Sequence, residues 1–283
     1  MKMLNNKGFA ISTVLYSLLV MATLILFLLI GNLSFERRST DDFVSDIEDE
    51  LNSFFSDQNS NLLSSALLFR TGQNGDIYDD GVDTFIIGKD PNNYVMYSNM
   101  IWRAVLVNNA SKSVKLVTQD NIATIVFNET VDSNFGNSDI KEWLNDASAS
   151  GFLSRLNNYP NFIVTDSEWS IEVSFGSERP EGTTVISDVG LLNEYEFNSS
   201  YHGDSATNSY LVNGSPWWTL TRWDVSSDVL TIDGHGGLGI NSPTGNYGVR
   251  PTINLKPGVV ITSGDGTLSN PYKLDGDLVG WQY

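Results

Sequence analysis

The chain carries 34 acidic residues against 16 basic ones over 283 positions, a net charge of −18, and contains no cysteine. So acidic a balance repels phosphate backbones and anionic head groups, which excludes nucleic acid as a partner. The missing cysteines rule out a disulfide framework and an acylated lipoprotein, and with only His202 and His235 a zinc centre lacks nitrogen and sulfur ligands.

Residues 1–8, MKMLNNKG, form a polar, basic leader, and the next 23, from Phe9 to Gly31, carry no charge. At a helical rise of about 1.5 Å per residue this run reaches roughly 35 Å, enough to cross a hydrocarbon core of about 30 Å. The expectation is a single-pass membrane protein that meets the lipid bilayer through Phe9–Gly31, with a cytoplasmic N-terminus and an extracellular C-terminal domain. A cleaved secretory signal fits less well, because its apolar core spans about 7 to 15 residues and ends on small ones. The Lys7-Gly8-Phe9 junction resembles a type IV prepilin leader. That resemblance implies cleavage between Gly8 and Phe9 by a prepilin peptidase, with other pilin-like subunits as partners. Most pilins place Glu at the fifth mature residue, and Thr13 stands there instead. The departure weakens the implication of filament assembly and leaves a minor pilin or pseudopilin, with a plain signal anchor as the alternative.

Phe43, Ile47, Leu51, Phe54 and Phe55 recur at helical spacing among acidic residues, which predicts an amphipathic stalk to about residue 57. A polar stretch, 56–61, breaks it before the apolar segment 62–69. Asp76, Asp79, Asp80 and Asp83 then cluster around Gly81. Tyr78 occupies a ligand position of the calcium-loop pattern and Ile87 stands where its closing Glu belongs, so the pattern fails. A solvated acidic loop is expected there, with no cofactor and calcium left open.

From residue 76 onward the pattern is strand-like. The runs 94–97, 101–107 and 114–117, separated by Ser98-Asn99 and Asn108-Asn109-Ala110, predict a meander. A helix is expected at 140–144, extending past Phe152, Leu153 and Leu156. Short strands or turns follow at 162–164, 171–173 and 190–192, then strands at 217–221, 229–232, 249–255 and 259–262. Trp217 and Trp218 are adjacent, so on a strand their rings point to opposite faces and at least one is core. Arg250, before Pro251, is expected to be structural, and in a buried strand it needs a carboxylate partner. Asp265 in Ser-Gly-Asp-Gly-Thr is expected in a turn.

Lys89-Asp90-Pro91-Asn92-Asn93-Tyr94-Val95, Trp102-Arg103, Gly190-Leu191-Leu192 before Tyr195, Trp217-Trp218-Thr219-Leu220-Thr221, Gly248-Val249-Arg250-Pro251 and the segment from Ser263 to Tyr272 occur in one order. Over residues 85 to 275 that order resembles bacterial surface domains of the C-type lectin-like group, related in fold to formylglycine-generating enzymes. The fold class implied is α+β: a long N-terminal transmembrane and stalk helix (9–31 and 32–75), then a loop-rich C-type lectin-like head from 76 to 283. In that group ligands are met by loops between the Trp-rich strand and the closing strands. The matching interval here offers Trp223, Asp224, Asp233, His235, Asn241, Asn246 and Tyr247, planar rings and hydrogen-bonding groups suited to an extracellular glycan or protein ligand. For any one of these residues the competing reading is a turn or core role, with Gly234, Gly236, Gly237 and Gly239 making turns. The cysteines of formylglycine chemistry are missing and no Gly-x-Ser-x-Gly elbow is present, so no enzyme is expected. The leading expectation is a membrane-anchored, pilin-like cell-surface protein displaying a ligand-binding or adhesion domain. A structural minor pilin of a pilus or secretion apparatus is the second reading and a tethered hydrolase the third.

Overall fold

The computed structural model describes residues 61–172, 179–223 and 226–277. The chain divides into two compact units, Met1–Gln58 and Asn59–Tyr283, and the described residues belong to the second.

The expectation of an α+β chain led by a long membrane-crossing helix is corrected. The described residues form sixteen strands and four short helices, the longest 12 residues, and among them no helix is long and apolar enough to cross a membrane. The single-pass localisation and the transmembrane and pilin-type assignments are withdrawn with it. The length and apolarity that a crossing demands are met by no helix among the described residues. Gly8 and Phe9, the run 9–31 and the stalk 32–57 lie outside the described residues.

Helix α1 (Leu63–Asn74) buries Leu63 and Leu67 and closes on Gly75 at φ 75°, a left-handed cap that glycine adopts without strain. Strands β1 (Ile77–Asp79), β2 (Asp83–Ile86), β3 (Tyr94–Tyr97), β4 (Met100–Asn108) and β5 (Val114–Thr118) follow. The meander is present: β3 pairs with β4 and β4 with β5, both antiparallel. Ser98 and Asn99, at φ 55° and 60°, join Tyr97 to its partner Met100. Two positive φ values in a two-residue loop match the right-handed twist of the flanking strands, which is why short polar residues stand there.

A nine-stranded sheet runs β15 (Ile261–Ser263), β16 (Tyr272–Leu274), β3, β4, β5, β14 (Thr252–Leu255), β9 (Val189–Gly190), with β2 paired to β4 and β1 paired to β2. The β16–β3 contact is parallel. Strand β4 is buried continuously from Trp102 to Val107, which explains why apolar residues fill both of its faces, with Arg103 the one charged exception. A five-stranded sheet runs β12 (Leu238–Asn241), β11 (Val229–Ile232), β10 (Trp217–Arg222), β13 (Asn246–Val249), β6 (Ala123–Val126), and β7 (Ser167–Ser170) pairs with β8 (Thr184–Ser187) alone. Trp217 and Trp218 are both fully buried, because side chains cover both faces of β10.

Three expectations differ in detail. The helix at 140–144 is α2 (Asp139–Asn145), capped by Ser138, but it stops at Asp146 instead of running past Phe152. The Asp146 carboxylate accepts from Ser148 N at 2.7 Å and Ser148 Oγ at 2.6 Å, a local turn that competes with helix. Residues 162–164 supply the end of the short α3 (Tyr159–Phe162) and one bridge from Ile163 to Leu255, not a strand. The run 249–255 splits at Arg250-Pro251. Val249 pairs with Ala123 in the five-stranded sheet and Thr252 with Val117 in the nine-stranded one, and proline, lacking an N–H, suits the crossing. At Gly190 a Cβ would lie 2.5 Å from the Trp169 ring, so that ring fixes glycine in β9.

Candidate functional site

The 223–247 interval folds into the β11–β12 hairpin and the entry to β13, which sorts the expected ligand residues into two groups. Asp233 and His235 occupy the turn that closes the hairpin. The Asp233 carboxylate accepts from His235 N at 2.7 Å and Gly237 N at 2.8 Å, and these backbone donors hold its pKa below the ordinary carboxylate value. Both side chains are exposed, and Gly234, Gly236 and Gly237 make the turn as expected of them.

The second group gathers at the opposite end of the hairpin. Val229 pairs with Arg222 on one side and with Asn241 on the other, so Trp223, next to Arg222, and Asn241 share that end. The Tyr247 hydroxyl donates to Asn241 Oδ1 at 2.6 Å, and Asn241 Nδ2 donates to Thr231 Oγ1 at 2.7 Å. The Tyr247 ring stands edge-on against Trp218 with centroids 4.7 Å apart, and the Trp218 indole N–H donates to Ile125 O at 3.0 Å. Asn246 is exposed while Trp223, Asn241 and Tyr247 are half-buried. Asp224 lies outside the described residues.

Two contributors were not singled out in the sequence. Thr231 closes the hydrogen-bonded chain, and Gly239 makes room for it. A Cβ at 239 would lie 2.7 Å from Thr231 Oγ1 and 2.9 Å from Asn241 Nδ2, so Gly239 serves the strand and not a turn. The available signal was register: closing the hairpin on Asp233–Gly237 sets Thr231 opposite Gly239.

Outside the interval, the acidic loop is not simply solvated. Asp80 Oδ2 accepts from the Tyr195 hydroxyl at 2.8 Å and from Arg179 at 2.6 Å, and Asp83 accepts from the same guanidinium nitrogen at 2.6 Å. Burial raises the Asp80 pKa, but the hydrogen bonds from Asp83, Tyr195, Val82 and Arg179 outweigh it and leave the carboxyl below its ordinary value. Desolvation, with help from Asp80, lifts Tyr195 to about 12. The sequence could not show this because Arg179 lies 96 residues from Asp83. Asp265 does sit in a turn, accepting from Thr267 N at 3.1 Å and Thr267 Oγ1 at 2.7 Å. Helix α4 (Glu194–Ser199) opens with a reciprocal Asn193–Glu196 cap, and Glu196 also pairs with Lys115 of β5.

A groove of about 370 Å³ lies elsewhere, between Asn158, Asn161, Phe162, Lys256 and Asp275, and contains none of the expected ligand residues. Its ammonium is already engaged, since Lys256 Nζ donates to Pro160 O at 2.6 Å. A scan of family models and searches of curated proteins and of solved structures found no match to this chain.

Proposed function

We propose that the β-rich domain is a non-catalytic ligand-binding or adhesion module, and that it meets its ligand at the end of the five-stranded sheet carrying Trp223, Asn241, Asn246 and Tyr247. The observation that carries this reading is the chain Tyr247–Asn241–Thr231, whose two hydrogen bonds of 2.6 and 2.7 Å fix an amide beside a phenol ring at a partly solvated position. Fixing these groups before binding lowers the ordering cost of recognition. Ring faces beside oriented amides complement a polyhydroxylated ligand, and the net charge of −18 favours a neutral or cationic one over an anionic one. The class that fits is a neutral glycan, and the short lectin-like motifs add a resemblance pointing the same way.

Screening the full-length chain against immobilised neutral glycans tests the reading. Binding is expected to fall about tenfold or more in both Asn241→Ala and Tyr247→Ala, from the loss of fixed hydrogen bonds. Glycan binding that both folded variants retain, or a full-length chain that captures only proteins and no glycan, overturns it.

A further inference from the structure

The chain crosses from one sheet to the other at Arg250, and its guanidinium is 1% exposed. Arg250 Nε donates to Thr118 O at 2.9 Å and Nη1 to Leu211 O at 2.5 Å, and the guanidinium lies over the Trp217 ring, 5.1 Å from its centroid. Two buried donors remain beside this contact: Arg250 Nη2 and Trp217 Nε1 meet no acceptor among the described residues.

The neighbourhood holds a second buried cation. Arg103, 2% exposed, donates to Asn93 Oδ1 at 2.6 Å, Pro91 O at 3.3 Å and Gln119 Oε1 at 3.4 Å, and lies 3.7 and 4.7 Å from the ring centroids of Tyr94 and Tyr210. Each hydrogen-bond partner of the two guanidiniums is a neutral oxygen. No carboxylate pairs with either among the described residues, which corrects the expectation that buried Arg250 has one. Burial first, and repulsion from Arg103 second, push Arg250 down to about 9, while Asp120, itself exposed, and Tyr210 pull the other way. Buried charge without a counter-charge is among the least tolerated features of a protein interior.

We infer that Arg250 Nη2 and Trp217 Nε1 form an internal site for a small monovalent anion of the chloride type, at the junction of the two sheets. One acceptor of negative charge answers both features together. It receives the two donors and offsets the paired guanidiniums, whereas a water molecule answers only the first. Both donors are fully buried, which restricts the site to a compact ion, and the two guanidiniums set the sign of its charge. The inference is independent of the glycan-binding reading.

The test is the melting temperature of the full-length chain at constant ionic strength, with chloride or bromide replacing gluconate. A saturable rise of about 5–10 °C is expected at a hundredfold excess over the dissociation constant. Arg250→Met is expected to abolish the response, and Trp217→Phe, which keeps the ring but removes the donor, to reduce it. Crystals grown in bromide supply a readout independent of any variant: an anomalous peak between Arg250 and Trp217 is expected. Equal melting temperatures in gluconate and chloride, a response undiminished in both variants, or a peak-free site in bromide overturns the inference.

Discussion

The two large sheets use the same residue types to opposite ends. In the nine-stranded sheet β4 is buried from Trp102 to Val107 and β5 from Leu116 to Thr118. In the five-stranded sheet the inner strands β10 and β11 are equally buried, but the edge strand β12 turns Leu238 and Ile240 outward at 48% and 50% exposure. Exposure thus decides where each sheet's side chains are free to vary. Burial on both faces gives β4 and β5 mainly a packing role, with Arg103 and Lys115 as their charged exceptions, whereas the rim of the other sheet combines a fixed polar chain with open aliphatic positions. Arg250 belongs to neither, and it shares the polar demand of the junction with Arg103 of β4.

High pH is expected to have the largest effect, and to fall on the nine-stranded sheet. Tyr94, Tyr97, Tyr195, Tyr201, Tyr210 and Tyr272 are all raised above the ordinary phenol value, with desolvation the largest cause in each, and Tyr272 reaches about 12. A group whose folded pKa is raised contributes stability that is complete below its unfolded pKa, about 10 here, and is lost as pH climbs through the folded value. Arg103 and Arg250 have the opposite sign, since a lowered folded pKa makes the native state relatively more favourable as pH rises through it, which for Arg250 lies at about 9. Six phenols against two guanidiniums decide the balance. The melting temperature is expected to fall continuously from pH 10 to 12, with Tyr94, Tyr97 and Tyr272 of the nine-stranded sheet among the phenols responsible. A flat profile over that range, followed by calorimetry together with phenolate absorbance, removes the distinction drawn for that sheet.

A mutation at the centre of β4 comes next in size. Trp102 is fully buried, packs near Tyr97 and Phe152 with centroids 6.3 Å away in each case, and donates its indole N–H to Tyr97 O at 3.0 Å. Trp102→Ala is expected to cost about 3–5 kcal/mol by combining lost burial with a cavity. Urea denaturation measures it. A cost below about 1 kcal/mol shows a core able to collapse around the gap, contrary to a sheet packed on both faces.

How far the sequence carried this architecture depends on how local the signal was. Strands β3, β4, β5 and β11 were legible because runs rich in β-branched and aromatic residues end at strong turn residues, and Ser98-Asn99 marked its hairpin outright. Strand β6 was not, since Ala123–Val126 is short and becomes a strand by pairing with Asn246–Val249, some 120 residues away. The parallel pairing of Trp217 with Gly248 and the meeting of Arg179 with Asp80 are equally non-local. Of the candidate site, Asn241, Asn246 and Tyr247 came from residue type within the interval that the lectin-like resemblance pointed to. Thr231 and Gly239 needed strand register, and the turn position of Asp233 and His235 separated them from the rest. The carboxylate expected for Arg250 was inferred from charge, where the fold supplies carbonyl oxygens.

The smallest effect is expected on β12, and it sharpens the contrast from the other side. Leu238 and Ile240 alternate on one face of an edge strand, while Gly239 and Asn241 face the other way. Half-exposed aliphatics contribute little burial, so Leu238→Ser and Ile240→Ser are each expected to change stability by no more than about 0.5 kcal/mol. The backbone pairing of β12 with β11 runs through all four residues and does not depend on these side chains. The hydrogen bond from Asn241 to Thr231 lies on the opposite face and is expected to survive both changes, leaving glycan binding intact. The Asn241→Ala variant removes that bond, and the proposed glycan binding is expected to fall with it. Equilibrium unfolding and glycan binding measured on the same serine variants separate the faces. A serine change that costs more than about 1 kcal/mol means that the outer face of β12 is packed in solution, and the division into a closed sheet and an open rim fails there.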